Sequence, residues 1–297
     1  MAAGFKATEL ALPFSGSCGR MPAMPYITRH RLVPAESRRH WQRLALPILF
    51  AITVLCVSLG TICNRATRQR NAVKIIEKAG GKVWYDYQVA EEGPFGGAAG
   101  PATAPTWLRN WIGVDYCATA IGVVLTDEDG VSKNVFRAIG DLPHLRTVSL
   151  SGMAVTDSTL LNLRDLGDLR ELTISDSSVS DAGWKPLEQL TRLEFLTLDG
   201  SNVDDAALSH IKGLTHLKDL KLFTTGGVTD AGLSDLQRLS RLMHLTLYSS
   251  DKITDAGMQY IKRLPRLTLL DIAMTGVSEA GVRDLKEDLP TLRIIRR

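Results

Sequence analysis

The sequence predicts an α/β chain: one transmembrane helix, then a parallel ladder of short strands backed by a row of short helices. Three observations predict it. Residues 44–63 carry no charge. Beyond residue 130, apolar residues return at intervals of 24 or 25. Inside each interval, a helical spacing gives way to an alternating one.

Charge divides the chain in the same way. Residues 1–43 hold seven basic and two acidic groups, and residues 64–89 hold six and two. Residues 90–297 hold 22 basic and 28 acidic groups. The basic balance therefore belongs to the flanks of the uncharged run, as it does beside a membrane. The mildly acidic remainder argues against a nucleic-acid-binding body. The four cysteines (Cys18, Cys56, Cys63 and Cys117) form no CxxC spacing and no disulfide framework.

The first element is the segment 44–63, "LALPILFAITVLCVSLGTIC". As a helix, its 20 residues reach roughly 30 Å, the thickness of a hydrocarbon core. Trp41 marks one edge, and Pro47 falls in the first turn, where a missing N–H costs little. The 43 residues before it, and the lack of a small-x-small pattern after it, argue against a cleaved signal. Five basic residues in 25–43 face six in 64–82, so orientation in the cell membrane stays undetermined. Residues 1–43 read as a basic and disordered lead-in.

Residues 64–122 are expected to cover the first unit. Val73, Ile76 and Ala79 mark a helix that ends at Gly80-Gly81. "KVWYDYQV" reads as a strand, and the Gly- and Pro-rich stretch 90–106 as a flexible loop. An array of repeats needs its open end covered. Trp84, Tyr85, Tyr87, Trp107 and Trp111 are expected to do this as core; an aromatic binding pocket is the sharper alternative.

Residues 123–297 carry about seven units. They align on Val131, Val155, Val179, Val203, Val228, Ile253 and Val277. Apolar residues follow at +5, +8 and +11, as in Leu233, Leu236 and Leu239, which describes one face of a short helix. An LxxLxL signature comes next, as in Leu242-Leu245-Leu247, and its alternation is that of a half-buried strand. At the turn leaving each strand, hydroxyls such as Ser177, Thr225, Ser250 and Thr275 are expected to bond the backbone.

The most repeated words are "VTDAGL" at 228–233 and "ITDAGM" at 253–258. Thr156, Ser180, Asp204, Thr229, Thr254 and Ser278 are N-cap candidates. The acid after each falls in the first turn, where the helix dipole favours negative charge. A carboxylate ladder for a metal would need more converging oxygens. No metal or cofactor is therefore expected.

The 24–25-residue lettering resembles a leucine-rich repeat, which implies a solenoid with its parallel ladder on the concave side. With "NRATRQR" at 64–70, "GGKVWYDY" at 80–87 and "WLRNWIGVDY" at 107–116, residues 41–297 resemble bacterial single-pass membrane proteins with "TDAGL"-type repeats. That group implies an anchored interaction module and no particular reaction.

Three columns of strand residues are expected to face outward. The first contains Phe195, Asp219, His244 and Leu269; the second Lys221 and Asp271; the third Asp199, Phe223, Tyr248 and Ala273. Exposed aromatics beside charges are typical of interaction hot spots. Phe195, Asp199, Asp219, Lys221, Phe223, His244, Tyr248, Leu269 and Asp271 are the expected partner-binding residues. The chain contains no GxSxG, P-loop, kinase or HExxH signature, and its six histidines lack metal-ligand spacing. The expected function is non-enzymatic: binding an unidentified protein partner, or alternatively carbohydrate or cell-wall material.

Overall fold

The computed structural model describes residues 35–88, 105–126, 132–152, 155–200 and 202–296. The disorder expected over 1–43 lies outside these residues up to 34 and is corrected at 35–43, which are helical; the loop expected at 90–106 lies outside them up to 104. Helix α1 (Ala35–Lys78) begins before the uncharged run and continues unbroken through the basic stretch after it. Its segment Leu49–Lys78, with a most apolar window of mean hydropathy 1.6, is long and apolar enough to cross a membrane. Only 6% of that window is buried in protein, unlike the core helix of a soluble fold.

From Lys82 onward the chain alternates strand and helix. Among the described residues, nine strands form one sheet in sequence order: β1 (Lys82–Tyr85), β2 (Ala120–Thr126), β3 (Thr147–Ser151), β4 (Glu171–Ser175), β5 (Phe195–Asp199), β6 (Asp219–Phe223), β7 (His244–Tyr248), β8 (Leu269–Asp271) and β9 (Arg293–Ile295). β1 runs antiparallel to β2, and every later pair is parallel. The parallel pairs need crossovers. After the short helices α2 (Thr106–Ile112) and α3 (Val114–Cys117), these are α4 (Lys133–Gly140), α5 (Asp157–Leu163), a 3-10 helix (Asp181–Gln189), α6 (Asp205–Ile211), α7 (Asp230–Leu236), α8 (Asp255–Ile261) and α9 (Glu279–Asp288). Pro186 lies inside the 3-10 helix, where it removes a donor that an α-helical ladder would use.

The alternation read from the sequence sets the core. In β7, Leu245 and Leu247 are fully buried while His244 and Thr246 are partly exposed. Helix residues such as Leu233 and Leu236 join the same continuous cluster. Each strand from β3 to β8 thus buries one face and leaves the other open. The residue after each of β3–β7 has positive φ: Gly152, Asp176, Gly200, Thr224 and Ser249; Met274, three residues past β8, repeats it. Thr224, at φ 53°, is β-branched, so this turn is strained. Its N–H donates to the Tyr248 carbonyl at 3.0 Å, extending the ladder past the strand. Among the turn hydroxyls, Thr275 donates to the Ile272 carbonyl, but Thr225 and Ser250 bond each other at 2.7 Å.

The Thr-Asp words have a role beyond the expected cap and dipole. Asp230 accepts from the backbone N–H of Thr254 at 2.8 Å and from its hydroxyl at 2.6 Å. Asp157 makes the same pair of bonds to Ser180, Asp205 to Thr229, and Asp255 to Ser278. Each acid therefore clamps the start of the next helix. The glycine of the next unit makes room: a Cβ on Gly183, Gly232, Gly257 or Gly281 would overlap the clamping carboxylate. Asp157 and Asp255 are held below the usual carboxylate range, chiefly by the hydroxyls of Ser180 and Ser278. The cap expectation is met at Asp204, Thr229, Thr254 and Ser278, whose side chains accept a helix N–H. At Thr156 it takes the form of a capping box. Ser180 departs from it, because its hydroxyl donates to Asp157 and accepts no helix N–H.

The aromatic cap differs from expectation. Tyr85 is buried, stacks on Tyr87 with ring centroids 6.1 Å apart, and donates to Asp115 at 3.0 Å. Trp107 and Trp111 are 67% and 78% exposed, so they are not core. Their spacing of four on α2 puts both on one side of it, turned outward. Gln69 ties α1 to this region. It donates to the Ala118 carbonyl at 2.9 Å and accepts from the Ala120 N–H at 3.2 Å.

Candidate functional site

The open face of the sheet is built by strand register. Glu171, Phe195, Asp219, His244 and Leu269 stand opposite one another across β4–β8. Thr197, Lys221, Thr246 and Asp271 form the next row. Asp199, Phe223 and Tyr248 form the third. All nine expected binding residues therefore lie on one continuous face. Ala273 does not, since β8 ends at Asp271 and Ala273 is buried. The Asp271 carboxylate accepts the Ala273 N–H at 3.0 Å and turns the chain inward.

Phe195 is 43% and Tyr248 38% exposed, with Phe223 partly buried between their strands. The Phe223 and Tyr248 rings lie 6.1 Å apart at 58°, within the range of a favourable aromatic pair. This pair stands outside the core, which the leucines alternating with it already fill.

The polar groups are less uniform than a solvated face would be. His244 Nδ1 lies 3.2 Å from Asp219, whose side chain is only 14% exposed. Lys221 is exposed one row away. Burial pushes the Glu171 carboxyl up to about 7, with Asp219 adding to the rise and Lys221 opposing it. Glu171 was not among the expected binding residues. The signal was present: it occupies the Phe195 and Asp219 column one strand earlier. Its desolvation depends on neighbours 24 or more residues away, which no local pattern encodes.

Two further histidines are also engaged. His144 Nδ1 meets Asp168 at 3.1 Å, and His210 meets Glu188 at 2.7 Å, each bond joining adjacent units. Among the described residues no three His, Cys, Asp or Glu side chains gather as a metal ion would require.

No protein-family model matches this chain, and no curated protein shows significant similarity to it. The face is therefore judged by its own chemistry. Glu171, Asp199, Asp219 and Asp271 stand against Lys221, with His244 already beside Asp219. A mildly acidic surface with an aromatic centre suits a ligand that offers basic groups around an apolar patch.

Proposed function

We propose that this chain is a membrane-anchored leucine-rich repeat protein, of the "TDAGL" repeat type, acting as a non-catalytic interaction module. Its sheet face is the concave surface of the solenoid, and it binds a protein partner that carries basic groups. The observation that carries this reading is local. On β4–β7, an aromatic pair with the Tyr248 ring exposed and a desolvated carboxylate share positions the repeat framework does not need. The uncharged helical segment supports an anchor, and the absence of catalytic signatures in the sequence supports a binding role.

Full-length protein in lipid nanodiscs tests it, with binding partners captured and then titrated individually. Phe223→Ala with Tyr248→Ala is expected to weaken a true partner by about thirtyfold, the effect of one hot spot. Unchanged capture by the double variant would sink the open-face assignment. A soluble wall polysaccharide bound in place of any protein would select the carbohydrate alternative. Because Glu171 titrates near 7, its charge is present above that pH and lost below it. A basic partner should weaken between pH 8 and pH 6, and Glu171→Gln should remove that dependence.

A further inference from the structure

A second feature lies where α1 meets the first units. Thr61, Asn64, Arg65 and Arg68 recur at i, i+3, i+4 and i+7, so they share one side of α1. With the turn Asp141–His144, that side lines a cleft of about 250 Å3. This is smaller than the roughly 300–1,000 Å3 of pockets that enclose drug-sized ligands. Its geometry is held in place: Gln69, next on the same side, is buried and bonded to Ala118 and Ala120.

The charge in this cleft is not balanced internally. Arg65 and Arg68 are exposed, and among the described residues neither forms an ion pair. Asp141 is the carboxylate that lines the cleft with them. His144 spends Nδ1 on Asp168, which leaves Nε2 as the ring nitrogen available to a ligand. Two guanidinium forks and the Asn64 amide form a donor set suited to phosphate oxygens, while the Thr61 hydroxyl donates to the Ser58 carbonyl at 2.8 Å.

Position selects the source of that phosphate. Arg65 and Arg68 follow Cys63, the last residue of the uncharged run, by two and five residues. At a helical rise of 1.5 Å per residue, that is about 3 and 7.5 Å along the axis. Each polar layer of a bilayer is roughly 5–7 Å deep. Both guanidinium groups therefore fall near head-group level. We propose that this cleft binds a phosphate group, and that the head group of an anionic phospholipid supplies it. The lipid source rests on the membrane-anchor reading above; the phosphate chemistry does not.

The test uses full-length protein in mixed micelles of equal phosphatidylcholine and phosphatidylglycerol, with the co-purifying lipid quantified. Wild type should enrich phosphatidylglycerol. Arg65→Gln with Arg68→Gln should lose roughly fivefold of that enrichment per arginine. The control is Arg70→Gln with Lys74→Gln, which removes the same charge from the same helix outside the cleft, and it should retain the enrichment. An equal loss in both doubles would mean general attraction and overturn the site. A second arm titrates inorganic phosphate and follows its binding by calorimetry. Phosphate bound through Arg65 and Arg68 without lipid enrichment would keep the chemistry and replace the source. Neither ligand bound would overturn the proposal. Carbonate extraction of membranes separates the two readings: release of the protein defeats the anchor, whereas retention without enrichment defeats the lipid source alone.

Discussion

The junction between α7 and α8 and the junction between the 3-10 helix and α6 occupy equivalent places and differ in chemistry. At the first, Asp230 grips Thr254 and lies over Gly257. At the second, Asp181 faces a unit that begins with Asp204, which sets a second carboxyl where the clamped junctions set a hydroxyl donor. No clamp forms there among the described residues, and the glycine position holds Ala207. The start of α5 makes the same point: its preceding unit offers Lys133, and the glycine position holds the buried Thr159. The glycine of the repeated word thus follows from the acid of the unit before it, and not from any demand of its own helix.

Substituting that glycine should have the largest effect. Gly232→Ala places a methyl against the Asp205 carboxylate and should cost about 3 kcal/mol, from overpacking and a lost clamp together. The opposite change at the unclamped junction, Ala207→Gly, should cost only the helical penalty of about 1 kcal/mol. Urea midpoints followed by circular dichroism measure both; equal losses would break the comparison.

Removing a clamp's charge comes next. Asp255 is held below its ordinary range by Ser278. Its contribution is therefore complete above the unfolded carboxylate pKa and disappears as pH falls through the lowered folded value. Asp255→Asn should cost about 1 kcal/mol at pH 7, a low value for a charge-assisted bond because water reaches the group. The loss should shrink as the medium becomes acid. Asp181→Asn should change stability by a few tenths at most, about what the first-turn dipole supplies.

The smallest effect sharpens the rule. Asp204→Thr should do little alone, since the Ala207 methyl stands where a clamping carboxylate would lie. On an Ala207→Gly background, the same change should regain about 1 kcal/mol by completing the clamp. Simple additivity in this double-mutant cycle would show that the two positions are not coupled.

The sequence revealed these elements unevenly, for physical reasons. Strand and helix positions were legible because burial repeats along the chain: Leu245 and Leu247, or Leu233 and Leu236, could not alternate otherwise. Trp107 and Trp111 were misjudged because aromatic character does not distinguish a core ring from an outward one. The clamps escaped notice because Asp230 and Thr254 are 24 residues apart, while a cap and a dipole gave each a sufficient local account. The outward rows follow from alternation alone, but the raised Glu171 carboxyl depends on burial and on Asp219 two strands away.

The clamp also has a direction, which bears on how such a gene can grow. Every unit carrying Thr or Ser, Asp and Gly offers a donor upstream and an acceptor downstream. Tandem copying of residues 228–252 would set Asp230 against a second Thr229 and Gly232, and the new seam would match the old ones. Copying 203–227 would instead bring Asp205 against a second Asp204 and Ala207, two carboxylates and no space. Unequal crossing-over is thus compatible with the clamp after residue 228 and disfavoured just before it. The row can lengthen cleanly in its later part, where the words are most alike.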